Sequence, residues 1–386
     1  MDCVPGEPVP ENVDYDPHMF QNISALSLPA PIPIWEITLK AIFYVAAFLC
    51  DVIGNSIFIL VIVLNKRMRS TTNVFLLNLA VSDVMVGCFC MWVHLGNNIT
   101  NDWPFDEFVC KGNTFMQVVA VTSSVLTLTA IAVERFFAIV FPLRKRKSPC
   151  ITVVVLVTNW LVAVGIAMPH LIVRRRYEYY WKDRHQIWCE ENWPKVYVNR
   201  NCSIVMPGRR IYYTLVTSVL YFIPIFVMLC AYTIIVIKML LRKRPGTQVN
   251  SSRQLQEKSR KKVIKMLVAV LTAFIVCWTP QQAFILWDMY RPTAELGEEI
   301  PGYVMKIKYA AMYIAYLNSA LNPILYGGFN ENFRNGFNDA FHCLLLRRRN
   351  TVVPFLVEPK PGQSRRPQGS ANTTPVHTTP VCTSTI

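Results

Sequence analysis

Apolar residues in this chain do not alternate with polar ones. They gather into seven long blocks, at about 36–64, 74–96, 108–141, 151–173, 211–241, 263–290 and 303–327. A helix rises 1.5 Å per residue and the hydrocarbon core of a bilayer is roughly 30 Å thick, so about 20 apolar residues cross it. Every block reaches that length. The pattern predicts an all-α membrane protein: a seven-transmembrane helix bundle over 36–327, preceded by an N-terminal tail at 1–35. Past the seventh block, Phe333, Phe337 and Phe341 recur at every fourth residue opposite polar positions. That stripe predicts a short amphipathic helix over 328–346, lying in the membrane interface. Residues 347–386 are rich in Pro, Ser and Thr and too poor in apolar residues to fold, which predicts a disordered tail.

Composition agrees. Of 386 residues, 53% are hydrophobic and only 16% charged, against roughly a quarter charged in soluble domains. Mean hydropathy is +0.30. The start, MDCVPGEPVP, has neither a basic nor an apolar region, so it does not read as a cleavable signal peptide.

Charge then orients the bundle. Residues 1–39 hold no Lys or Arg but carry Asp2, Glu7, Glu11, Asp14 and Asp16. Lys66, Arg67 and Arg69 follow the first block, and Arg144 to Lys147 the third. Arg242 to Arg244 and Arg260 to Lys262 lie between the fifth and sixth, and Arg347 to Arg349 in the tail. Basic loops mark the cytoplasmic side, so the N-terminus is expected outside, the C-terminus inside, and the chain in the plasma membrane. The loop over 174–210 is also basic yet falls outside, where longer loops translocate despite their charge. The net charge of +15 is therefore largely a topology signal. Its basic runs flank spans without interleaved aromatics, which excludes nucleic acid as the partner.

The sequons at Asn22, Asn98 and Asn201 fall on the outer side and are candidate glycosylation sites; those at Asn250 and Asn372 fall inside. Of twelve cysteines, Cys50, Cys88, Cys90, Cys230 and Cys277 lie within spans as small apolar packers. Cys110 and Cys189 lie outside, where a disulfide persists; linking them would pin the loop across the mouth of the bundle. Cys3 and Cys202 form a candidate second bridge. Cys343, after the amphipathic stretch, is a candidate palmitoylation site.

Seven motifs then occur in order, one per span: Gly54–Asn55, NLAVSD (78–83), ERF (134–136), Trp160, Pro224 with Tyr232, FIVCWTP (274–280) and NPILY (322–326). Over roughly residues 36–345 the chain resembles a rhodopsin-like G-protein-coupled receptor. The resemblance implies a receptor rather than an enzyme, a heterotrimeric G protein as partner, and arrestin and a receptor kinase acting on the tail. It implies no cofactor, with an allosteric sodium ion as the one candidate guest. Asp83 is a carboxylate near the bilayer midplane and by default has a function and a partner; it is the only midplane acid this reading identifies. Ser124, Asn318 and Asn322 match the family's sodium cluster, and oxygen ligands suit a hard cation. The alternative is a hydrogen-bonded polar knot.

Pro224, Pro280 and Pro323 each remove a backbone donor and kink a helix; in this family such kinks act as hinges. Trp278 would floor a ligand pocket and move with Phe274 and Val125. Glu134 and Arg135 resemble the family's acid–arginine latch, which releases Arg135 to the G protein as helix 6 swings out and Tyr232 and Tyr326 move in. Arg260 and Lys261 stand where a lock between helices 3 and 6 would need an acid, so the latch is local.

The ligand is read by elimination. Gln117 stands where amine receptors carry an aspartate, and no lysine stands mid-helix 7 for a retinal Schiff base. Trp181, Trp188 and Trp193 in the large outer loop offer area for a peptide. GGFNENFRNGFNDAF (327–341), NDWPF (101–105) and WCEENWP (188–194) resemble receptors for neuropeptide FF and related RFamide peptides, with SIFamide-type receptors close by; orexin- or neuropeptide Y-like peptides are the alternative. In RFamide receptors an aspartate near the top of helix 6 takes the ligand arginine. Here Asp288 sits one residue earlier, about 100° around the helix, with Met289 in the matching place. The candidate pocket is Gln117, Glu190, Gln281, Gln282 and Asp288 above Trp278, completed by His94, Thr114, Lys308 and Tyr316. Internal repeats, expected of a transporter or channel, are not found, and no catalytic pairing lies in the spans.

Overall fold

The computed structural model describes residues 32–65, 70–100, 102–141, 149–197, 204–241, 251–291 and 302–329, with 7–8, 17–18 and 21–22 near the N-terminus. Seven long helices follow in chain order: α1 (Ile34–Leu64), α2 (Thr71–Ile99), α3 (Glu107–Val140), α4 (Pro149–Val173), α5 (Pro207–Leu241), α6 (Ser251–Tyr290) and α7 (Gly302–Phe329). Two start on side-chain caps. Ser70 accepts from the Asn73 N–H at α2, and Asp106 from the Val109 N–H at 2.8 Å at α3, each satisfying an orphan donor of the first turn.

Six of these helices are long and apolar enough to cross a membrane by length and composition. The seventh falls short, because Lys306 and Lys308 occupy its first turns and its centre holds Asn318, Ser319 and Asn322. Those three central residues are buried. The polarity points inward, as in a membrane-embedded bundle. The converse holds outside: Leu161, Ile172 and Phe226 are about 70% exposed, at 68%, 73% and 69%. An apolar exterior of that extent is a liability in water and the expected face toward lipid.

α3 is the central rod, packed on α2, α4 and α5, while α7 packs on α6 and α1. Asn78 of α2 ties the first group together. Its amide nitrogen donates to Ser123 and Thr127 of α3, and its oxygen accepts from the Trp160 indole of α4 at 2.8 Å. α1 and α7 meet at a close approach: a Cβ on Gly54 would lie 2.7 Å from the Pro323 ring. Only glycine admits that contact. The inner half of the core centres on Phe58, Leu76, Leu79, Ile131, Met228, Ile235 and Tyr326, all essentially buried.

The bundle is all-helical, but the loop after α4 is not. Arg174–Tyr180 (β1) and His185–Glu191 (β2) form an antiparallel hairpin, with Arg176 opposite Cys189. Val196–Tyr197 (β3) and Ile204–Val205 (β4) form a second short pair. The basic loop is thus a built lid whose arginines are largely neutralised. Arg174 pairs with Glu191, Arg176 with Glu178, and Arg184 with Asp102. Of the helix expected over 328–346, Gly328 and Phe329 are the last residues of α7; residues 330–346, the tail, Cys3, Cys202, Asn201, Cys343 and the loops at 66–69 and 144–147 lie outside the described residues. The same holds for the side chains of Arg260 and Lys261.

Candidate functional site

The two ends of the bundle carry different chemistry. At one end, Glu134 and Arg135 stand side by side on α3 because they are sequence neighbours, and the Arg135 Nε lies 3.0 Å from the Glu134 carboxylate. Thr72 of α2 donates to the same carboxylate at 3.3 Å, so the acid is held from two helices. Tyr232 and Tyr326 are buried nearby in the same core, and the Tyr326 ring packs 4.7 Å from Phe58. The Tyr326 hydroxyl has no hydrogen-bond partner among the described residues, so a new partner would cost it no existing bond. Phe274 is buried, with its ring 6.3 Å from Trp278 one turn along α6. Pro280 and Pro323 lie inside α6 and α7.

In the middle, Asn322 of α7 donates to Asp83 of α2 at 2.7 Å, leaving Asp83 Oδ1 buried and without a hydrogen-bond partner among the described residues. Ser124 and Asn318 are buried in α3 and α7. The orphaned carboxylate oxygen is the feature here that a small hard cation would satisfy. The reading of Asp83 as the sole midplane acid needs correction. Asp51 of α1 is fully buried as well. It accepts from the Asn55 amide at 2.7 Å, and its other oxygen would lie 2.6 Å from a Cβ on Gly87. A lone acid one turn before Asn55, inside an apolar run, was the signal available in the sequence.

At the other end a cavity of about 700 Å³ opens beneath the lid. The lid is fastened by the Cys110–Cys189 disulfide, with Cα atoms 5.8 Å apart, and by the Trp103 N–H donating to Ile187 O at 2.8 Å. Trp278 and Phe274 line the floor. Gln117, Thr114, Glu190, Gln281, Gln282, Asp288 and Lys308 all line the walls, as the sequence suggested. Gln282 accepts from Thr217 at 2.9 Å, whereas Gln281 is 6% exposed and its oxygen has no partner among the described residues.

Glu191 is the hub of the lid. It is met by Arg174 at 3.0 Å, the Tyr213 hydroxyl at 2.5 Å and the Trp193 indole at 2.8 Å. Burial opposes its ionisation, but Arg174 and those hydrogen bonds outweigh it and hold its carboxyl down at about 2. Glu190 is the reverse: burial pushes its carboxyl above the usual range, with Arg174, Lys195 and Lys308 only partly opposing.

The 7 transmembrane receptor (rhodopsin family) model matches residues 54–326. The chain belongs to that family. As a rhodopsin-family receptor it is a multi-pass membrane signalling protein and not an enzyme. It is 34% identical to the neuropeptide FF receptor 2 of Mus musculus over 311 residues, covering 77% of this chain and 71% of that one. It is 31% identical to the Substance-P receptor of Canis lupus familiaris over 338 residues, covering 85% and 77%.

Two candidates lie outside the receptor's cavity. His94 accepts or donates at 2.7 Å with the Tyr44 hydroxyl and stacks 5.6 Å from Tyr309; Tyr316, 3% exposed, meets His94 edge-on at 5.5 Å. Both belong to an aromatic cluster joining α1, α2 and α7, because their helix faces turn toward α1. Asn98 is the last but one residue of α2, and its amide nitrogen donates to His94 O. A glycan acceptor needs that nitrogen free. Asn22 is exposed. Arg174, Arg209 and Tyr213 are cavity residues that sequence reasoning passed over, since nothing local distinguishes them from other loop charges and aromatics.

Proposed function

We propose that the receptor binds an amidated neuropeptide, RFamide-like by preference, in the cavity beneath the lid, and passes the signal to a heterotrimeric G protein at the Arg135 end. An orexin- or neuropeptide Y-like peptide is the alternative. The observation that carries this reading is Gln281, an almost buried amide facing the cavity with its oxygen unsatisfied one turn above Trp278. A primary carboxamide can supply the donor that this oxygen lacks, while leaving it unpaired costs about 1–3 kcal/mol. The neuropeptide FF receptor 2 likeness supports the same class.

Signal passage follows from the two ends sharing α6. A ligand pressing on Trp278 and Phe274 acts just before Pro280, where the missing N–H weakens the helix, and outward movement of the other end of α6 would uncover Arg135. In this proposal the N-terminus and the lid are extracellular, the chain sits in the plasma membrane, and Asp83, Ser124, Asn318 and Asn322 would hold a sodium ion that ties α2, α3 and α7 together. The tail beyond 346 would recruit arrestin after kinase action, Cys343 would carry a palmitoyl anchor, and Asn22 and Asn201 would be glycosylated.

The test is nucleotide exchange on purified G protein across a panel of amidated peptides, with Arg135→Ala beside wild type. Peptide-driven exchange lost in Arg135→Ala is expected. Full exchange by Arg135→Ala, or solute flux with no peptide response, would sink the proposal.

A further inference from the structure

The charges lining the cavity can be assigned one by one. Four acidic and three cationic side chains line it: Asp102, Glu190, Glu191 and Asp288 against Arg174, Arg209 and Lys308. Asp102 is taken by Arg184 at 2.6 Å. Glu191 is taken by Arg174, Tyr213 and Trp193. Asp288, the acid that resemblance would assign to a ligand arginine, is held from two sides: Arg209 of α5 donates to one oxygen at 3.0 Å, and Arg291 lies 3.4 Å from the other. Arg209 also reaches Glu191 at 3.6 Å, so one guanidinium of the receptor already spans both acids. Glu190 remains. It lines the cavity with no hydrogen bond or ion pair among the described residues.

A ligand cation therefore meets unequal seats. At Asp288 it must first displace Arg209 and leave that guanidinium, in a half-buried site, with only the longer 3.6 Å contact to Glu191. Breaking such a pair is costly because the abandoned charge stays desolvated. At Glu190, which is exposed where it lines the cavity, it displaces only water and has no existing pair to break. Lys308 does not compete for Glu190 at bonding distance; its ammonium lies over the Phe284 ring at 5.7 Å. Gln281, nearly buried and unsatisfied in the same cavity, independently marks the space as one that awaits a polar guest.

We propose that Glu190 seats the ligand's cationic side chain, and that Asp288 does not because the receptor's own Arg209 occupies it. This rests on the peptide reading above, and it specifies the ligand as one that carries a guanidinium or ammonium placed to reach the lid. Arg209 thereby sets specificity: it closes the seat on α6 and leaves the one on β2.

The experiment uses two synthetic hexapeptide amides ending in Arg-Phe-NH2 and citrulline-Phe-NH2, which differ only in charge. Their potency ratio in nucleotide exchange is read for wild type, Glu190→Gln, Asp288→Asn and Arg209→Gln with Glu190→Gln. Comparing two peptides on one variant removes the effect of expression level. Wild type is expected to prefer arginine by at least tenfold, Glu190→Gln to lose most of that preference, and Asp288→Asn to keep it. Adding Arg209→Gln to Glu190→Gln opens Asp288 and is expected to restore part of the preference. A preference that survives in Glu190→Gln and vanishes in Asp288→Asn overturns the inference while leaving the peptide reading intact. No response of wild type to any amidated peptide overturns both.

Discussion

Gly54 of α1 lies so close to Pro323 of α7 that a methyl group at 54 would sit 2.7 Å from two atoms of the proline ring. The approach brings α1 against the one position of α7 where the helix lacks a backbone donor. Gly54→Ala should therefore force the helices apart or shift the hinge. Overpacking of this kind costs about 1–3 kcal/mol, so a lower melting temperature in detergent is expected. Gly165→Ala is the control, since nothing lies within 4 Å of a Cβ there. Equal melting temperatures for the two variants would show that the contact carries no strain.

A second close contact joins two buried residues. A Cβ on Gly87 would meet Asp51 Oδ2 at 2.6 Å and Val52 Cγ2 at 2.8 Å. Gly87→Ala is expected to destabilise, and Asp51→Ala in the same chain to relieve part of that loss. Groups in direct contact couple by about 0.5–3 kcal/mol. Strict additivity of the two substitutions in thermal melts would refute the coupling.

If Asp83 holds sodium with its orphaned oxygen, sodium binds the folded state alone and stabilises it by mass action. At ten times the dissociation constant the gain is about 1.4 kcal/mol. Melting temperature should rise with sodium chloride relative to choline chloride at matched ionic strength, and Asp83→Asn should remove the difference. A rise that persists in Asp83→Asn would place the ion elsewhere.

Glu191 makes stability acid-sensitive. Its carboxyl is depressed from the usual 4.5 to about 2, so its contribution is complete above the ordinary carboxylate range. That contribution is lost as pH falls from there toward 2. Removing one partner of a buried pair costs about 3–5 kcal/mol. Glu191→Gln should be less stable than wild type at pH 7, with the gap closing at low pH. A constant gap from pH 7 to pH 3 would contradict this assignment.

Glu190 should give ligand affinity the same direction of change at milder acidity. Burial raises its carboxyl, opposed by Arg174, Lys195 and Lys308 around it. The charged form needed to seat a cation is thus lost earlier on acidification than for an ordinary glutamate. Binding of the arginine peptide should weaken on acidification before an ordinary glutamate would protonate, while the citrulline peptide holds steady. Parallel curves for the two peptides would remove Glu190 from the contact.

Much of this was legible in the chain as written. Long apolar runs can only be lipid-crossing helices, and six of them satisfy that test without tertiary information. The ordered motifs carried the family, and the Cys110–Cys189 bridge was one of the pairings that the external cysteines offered. Locally imposed relationships were legible too: Glu134 beside Arg135, and Trp278 one turn before the kink at Pro280. The hairpin over Arg174–Glu191 was not, because its charges masked the alternation of RRRYEYY and HQIWCEE. Asp51 was hidden for another reason. One acid in the middle of a 31-residue helix does not disturb the average hydropathy that marks a span.

What the sequence determined alone was therefore the solvent of each segment and the order of the elements, since both depend on composition along a line. Which charges are spent and which are free was decided only by the fold. Arg209 and Asp288 are 79 residues apart, and no local pattern foretells that one will silence the other. Partnership between distant charges depends on distances near 3 Å that only the packed helices set.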